Sequence, residues 1–225
     1  MLLKFSLSLF YFSFWLISTN AQFSRTCRNL LSNDCILNSP DFASEVDNLC
    51  ECDLHPVKTF NSQSAAPGIQ CIRFSLPRTQ QLFRCLAQPQ TLKSADFYKD
   101  SWSTLPDFRN LTSLQVLRLR DLGLRDVNLK QLNVLQRLKK LELSNNKFKQ
   151  LPKGLLDGLA GLEELVLHGN RMAGIERNQF ASAATRLKKL TLSEMEFSSI
   201  PPNFFAIFPE LEYLAITSEH FLFFI

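Results

Sequence analysis

The sequence has no cysteine beyond Cys85, although the chain runs to residue 225. It has no basic run longer than the pairs Lys139-Lys140 and Lys188-Lys189. A nucleic-acid partner requires a concentrated basic face, so the net charge of +4 and pI near 8.8 point away from one. There are only three histidines, His55, His168 and His220. No His-Glu-x-x-His, Gly-x-Ser-x-Gly or Walker-type run occurs, so catalysis finds no support, and no metal or cofactor is expected. The apolar run from Phe5 to Ile17 is short of the roughly 20 residues that cross a bilayer. What is present is ordinary for a folded chain: 45% apolar and 20% charged residues.

The start reads as a secretory signal peptide, residues 1–21. Lys4 supplies the positive flank, Phe5 to Ile17 the apolar run, and Thr19 and Ala21 the small residues before a cut at Gln22. An uncleaved signal anchor is the competing reading. Cysteine usage agrees with export. Cys27, Cys35, Cys50, Cys52, Cys71 and Cys85 all precede residue 90. An even number after a signal peptide implies disulfides formed in an oxidising compartment, and six cysteines allow 15 pairings. Residues 22–90 are otherwise irregular, punctuated by Pro40, Pro56, Pro67, Gly68 and Pro77.

The rest of the chain repeats. Leu138-Lys-Lys-Leu141-Glu-Leu143-Ser-Asn-Asn146-Lys-Phe148-Lys-Gln-Leu151 reads L-x-x-L-x-L-x-x-N-x-L-x-x-L. The template returns 24 positions later at Leu162, Leu165, Leu167, Asn170, Met172 and Ile175. Looser copies start at Leu92, Leu114, Leu187 and Leu211. Leucines two apart point to one face of a strand. One such coil cannot bury its apolar side alone, whereas stacked coils can. The Asn sits where the chain leaves the strand, and its amide can satisfy backbone groups in a buried bend. Only Asn146 and Asn170 hold that place. Asp100, Leu122, Met195 and Glu219 stand there in the other copies. Leu and Met cannot pair backbone groups, so local irregularity is expected at those bends.

This pattern resembles the leucine-rich-repeat family, in its animal extracellular form. The resemblance implies an α/β solenoid: a curved coil with a concave parallel β-sheet, preceded by a disulfide-bonded N-terminal cap. It implies about six repeats over residues 91–225 and a cap region over 22–90. Cys50-x-Cys52 with Cys71 resembles the family's cap, at looser spacing. Cys27, Cys35 and Cys85 have no obvious counterparts. A metal site at Cys50-x-Cys52 is the competing reading, though a second ligand pair is missing. The convex side is expected to be plugged by Phe108 with Leu111, Leu132 with Leu135, Leu156 with Leu159, Phe180 with Ala183, and Phe205 with Phe208. The family usually closes with a second cysteine cluster. Its absence, with Phe221 to Ile225 uncovered, leads to the expectation of a fragment or truncated product that aggregates without an added cap.

Residues between the strand leucines form the candidate binding face. The central column is Asp96, Arg118, Glu142, Val166, Thr191 and Ala215. Six strands would span roughly 25–30 Å. Tyr98, Arg118, Arg120, Lys140, Glu142, Glu164 and His168 are the expected partner-binding residues, Tyr and Arg being the types enriched at hot spots. Each alone also reads as solvated polar surface. His168 beside Glu142 or Glu164 can be drawn as an acid–base pair, but a mixed-charge surface is the commoner explanation. Asn110-Leu-Thr112 is an N-glycosylation sequon expected to face outward. The resemblance implies a secreted or cell-surface protein-binding module without enzyme activity, whose membrane attachment would need an anchor beyond this sequence. The alternatives are a structural matrix component, or a lipid or glycan carrier, which would require an apolar pocket.

Overall fold

The computed structural model describes residues 31–32, 41, 50–51, 68–125, 129–151 and 154–218. The expected signal peptide, Cys27, Cys35, Cys52, His55, Glu219, His220 and the apolar stretch Phe221 to Ile225 lie outside the described residues.

Among the described residues a single sheet of eight strands runs in chain order. The strands are β1 (Cys50–Glu51), β2 (Gly68–Ile72), β3 (Ser94–Tyr98), β4 (Val116–Arg120), β5 (Lys140–Glu142), β6 (Glu164–Val166), β7 (Lys189–Met195) and β8 (Tyr213–Ser218). β1 pairs antiparallel with β2, and every later pairing is parallel. The register is what the leucine spacing requires. Ala95, Leu117, Leu141, Leu165, Leu190 and Leu214 are partners in one inner row. Leu117, Leu141, Leu165 and Leu190 have no solvent exposure.

The sheet is longer than six strands. β2 lies within the stretch read as irregular and stacks on β3, with Ile69 opposite Ala95 and Cys71 opposite Phe97. Gly-Ile-Gln-Cys-Ile alternates like the other strands, but Ile and Cys hold the leucine places and hide the template. The return path of this coil is helix α1 (Leu76–Cys85), which has Pro77 in its first turn and buries Leu82 and Phe83. The Phe83 ring meets Phe97 at 5.8 Å and Phe108 at 5.6 Å, so α1 fills the place of a convex plug.

Each coil also turns at the same place. Arg73, Lys99, Asp121, Asn145 and Gly169 follow their strands and Glu194 lies near the end of β7, and all have φ between 54° and 66°. Only one is glycine, so the stacked coils hold five ordinary residues in a left-handed conformation that is costly for them.

The bends that follow behave as Asn chemistry demands. Asn146 Nδ2 donates to Leu119 O of the preceding coil and to Leu143 O of its own. Asn170 does the same with Leu143 O and Leu167 O. Of the bends without Asn, the one at Met195 is irregular: the β7–β8 register slips between Leu192 and Met195. Ser218 repairs it by donating to Met195 O at 2.9 Å and Phe197 O at 2.7 Å. The bend at Leu122 stays regular, contrary to expectation, because Asn146 Oδ1 in the next coil accepts from Leu122 N and Leu124 N.

One convex plug differs from its assignment. Phe204 is fully buried, whereas Phe205 is 36% exposed. A short 3-10 turn (Phe204–Ile207) follows Asn203, whose φ is 55°, and this rotates Phe204 inward. The Phe204 ring then meets Phe180 at 5.4 Å and Phe208 at 5.6 Å. The other expected plugs, from Phe108 and Leu111 through Phe180 and Ala183, are buried.

Candidate binding face of the concave sheet

The face follows from strand alternation. Leu117, Leu119, Leu141 and Leu165 point inward, so Arg118, Arg120, Lys140, Glu142 and Glu164 stand on the other side. Parallel in-register pairing puts residues of successive strands about 4.8 Å apart. Side chains 22 or 24 residues apart in sequence thereby become neighbours.

They form one connected charge network. Arg120 grips Asp96 with its fork: Nη2 donates to Oδ2 at 2.6 Å and Nε to Oδ1 at 3.3 Å. Its guanidinium also lies 5.1 Å from the centre of the Tyr98 ring. Arg118 meets Glu142 at 3.5 Å, and Glu142 lies 4.0 Å from both Arg120 and Lys140. Lys140 continues to Glu164 at 2.5 Å. Three acids thus stand against three bases.

Asp96 is the buried end of the network. Its side chain is 9% exposed against 33% for Arg120. Burial pushes its carboxyl above the ordinary 3.8, while Arg120 pulls it back. A partly desolvated, doubly hydrogen-bonded pair orders both side chains. Ion pairs on such a face add at most about 1 kcal/mol each, so their effect is orientation more than stability.

The structure unites six of the seven expected partner-binding residues: Tyr98, Arg118, Arg120, Lys140, Glu142 and Glu164. His168 stands apart. Its Nε2 lies 3.5 Å from Glu194, with side chains 36% and 69% exposed, rather than against Glu142 or Glu164. The sequence reading gave Asp96 no place among the binding residues, although it put Asp96 in the central column. It also overlooked a parallel chain on the rim, where Lys139 and Lys188 share Glu163 at 3.1 and 3.9 Å. The 24-residue spacing of Lys139 and Glu163 was a usable signal.

Beyond Glu142 the central column is uncharged: Val166, Thr191 and Ala215 are half-buried, and Tyr213 in β8 is 53% exposed. Asn110 is exposed between buried Phe108 and Leu111. Cys71 and Cys85 are both disulfide-bonded. Among the described residues no group of His, Cys, Asp and Glu side chains could hold a metal ion. No helix among them is long and apolar enough to cross a membrane.

A family model described as leucine rich repeat matches residues 112–172. The coils of this stretch are leucine-rich repeats. A leucine-rich-repeat protein of Leptospira interrogans has a similar fold, with a TM-score of 0.51 and 26% identity over 62% of this chain and 33% of that one. In sequence the repeats are 30% identical to asporin of Bos taurus over 114 residues, which is 51% of this chain and 30% of asporin. They are 30% identical to vasorin of Mus musculus over 109 residues, 48% of this chain and 16% of vasorin. The chain therefore spans less than a third of either curated relative along the matched stretch.

Proposed function

We propose that this is an extracellular protein-binding module that acts through the concave face of its leucine-rich-repeat sheet. The observation that carries the reading is Arg120, clamped by Asp96, stacked on Tyr98 and still a third exposed. A preordered arginine loses little conformational freedom on binding, and Arg and Tyr dominate interface energetics. Around it, Arg118, Lys140, Glu142 and Glu164 alternate in sign. A partner must match that order or strand charges without counterions, which favours specificity over raw affinity. Seven parallel strands give a face roughly 29 Å long, enough for a modest protein footprint.

The extracellular setting rests on chemistry. Disulfides at Cys71 and Cys85 fit an oxidising compartment. The signal-peptide reading of residues 1–21 and similarity to asporin and vasorin agree with that setting. In the same reading, the cysteines before β3 form the disulfide cap over the first coil, and Asn110 carries a glycan.

The test is capture from surface-biotinylated animal cells by the tetramerised chain, compared across variants. Arg120→Ala with Tyr98→Ala should abolish capture of a specific extracellular protein. Arg137→Ala, exposed and outside the strands, should not. Equal capture by both variants would place the binding surface elsewhere.

A further inference from the structure

A second polar concavity lies outside the sheet, on the flank where each coil leaves its strand. Arg125, Lys147, Lys149, Gln150 and Arg171 line it, and its volume is about 610 Å³. The four cations come from three successive coils. Arg125 follows Leu124, Lys147 and Lys149 flank Phe148, and Arg171 precedes Met172. Leu124, Phe148 and Met172 are buried, so extended backbone turns their neighbours out to solvent.

Charge balance sets this groove apart from the concave face. There, three acids answer three bases. Here none of the four cations has an ion pair among the described residues. The described lining holds no carboxylate and no apolar side chain. Four like charges around one concavity raise the local positive potential, and the packing of the coils does not require them. The row of Lys147 and Arg171 has defined ends. On one side is Gly123, where a Cβ would lie 3.8 Å from Lys147 Nζ. On the other is exposed Glu196, in the matching position of the next coil.

We propose that this groove binds a sulfated polysaccharide. The cations form two staggered rows along the solenoid axis, Arg125 with Lys149 and Lys147 with Arg171, and members of a row are one coil spacing of about 4.8 Å apart, so the outer arginines, two coils and two residues apart, stand roughly 12 Å from each other. A linear polyanion with a charge on each sugar unit spans such a row. The guanidinium forks at both ends suit the paired oxygens of an oxyanion, with lysines as point charges between them. The Gln150 amide supplies one neutral donor and acceptor for sugar hydroxyls. Among the described residues the lining has no aromatic ring on which a base would stack and no apolar side chain to anchor a peptide. The inference shares only its extracellular setting with the protein-binding reading, and its failure would leave that reading untouched.

Titration calorimetry of the whole chain tests it. The probes are a heparin octasaccharide, its desulfated counterpart and an octaglutamate peptide. The sulfated sugar should bind at least about tenfold tighter than either other probe, and added sodium chloride should weaken it. Arg125→Ser with Arg171→Ser should weaken it by about tenfold or more, while Arg84→Ser, on exposed α1 surface, should not. Circular dichroism melting checks that the double variant folds; if it does not, Lys147→Gln and Lys149→Gln take its place. Equal affinity for the desulfated sugar or the peptide overturns the proposal. So does an equal loss in Arg84→Ser.

Discussion

The side-chain amide of Asn146 joins two coils, donating to Leu119 O at 2.8 Å and to Leu143 O at 3.0 Å. Its oxygen accepts from the backbone of Leu122 and Leu124 at 3.2 and 3.1 Å. One buried side chain therefore satisfies both ends of a bend that water cannot reach. Asn146→Ala leaves several of these groups unpaired, each costing about 1–3 kcal/mol. The variant should lose about 2–4 kcal/mol in urea unfolding. An unchanged midpoint would mean that the bend rearranges to pair its own backbone.

The fifth coil offers a direct comparison of neighbours. Phe204 is buried against Phe180 and Phe208, while Phe205 is 36% exposed. Phe204→Ala should cost about 3–5 kcal/mol, as buried phenylalanines do. Phe205→Ala should cost well under half of that. Melting temperatures of the two variants decide the matter, and the reverse order would restore Phe205 as the plug.

Two glycines separate crowding from open space. A Cβ at Gly158 would sit 2.7 Å from Asn133 Cα, which is backbone and cannot swing away, whereas at Gly174 it would meet nothing within 4 Å. Gly158→Ala should destabilise by about 1–3 kcal/mol through forced backbone shifts. Gly174→Ala should be neutral or stabilising by up to about 1 kcal/mol, through lower unfolded-state entropy. Thermal unfolding of both variants is the measurement.

Asp96 sets an unusual pH dependence. Its folded carboxyl titrates above 3.8, chiefly because burial disfavours the charge. The folded state therefore holds this proton more tightly than the unfolded state. The group favours folding at low pH, and that contribution is lost as pH rises from 3.8 through the raised value. The stability of the wild type relative to Asp96→Asn should fall across this window and level off above it. Asp107 runs the other way, because its hydrogen bonds with Arg109 lower its carboxyl. Urea midpoints at stepped pH, with NMR titration of the Asp96 carboxyl carbon, test the sign. A difference that grows with pH would mean that Arg120 outweighs burial.

Some features were plain from spacing alone. Leu117, Leu141, Leu165 and Leu190 recur so regularly that only a stacked parallel sheet can bury all of them together. The exposed central column followed from the same period. β2 was hidden because Ile69 and Cys71 stand where leucines usually do. Phe204 was readable after all: Leu132, Leu156, Phe180 and Phe204 keep a strict 24-residue step, and only the adjacent Phe205 obscured it. The role of Ser218 was not readable, because it depends on a register slip at Met195.

By itself the sequence determined the coil, its inner row and which residues face outward, since hydrophobic period and strand alternation are local and additive. Tertiary structure decided which of those outward residues act together. Arg120 reaches Asp96 instead of remaining free, His168 leaves the network for Glu194, and Arg125, Lys147, Lys149 and Arg171 gather on the flank with no ion pair among the described residues. Whether a charge is answered by a neighbour depends on distances between coils, and one coil's residue pattern carries no record of the next coil's side chains.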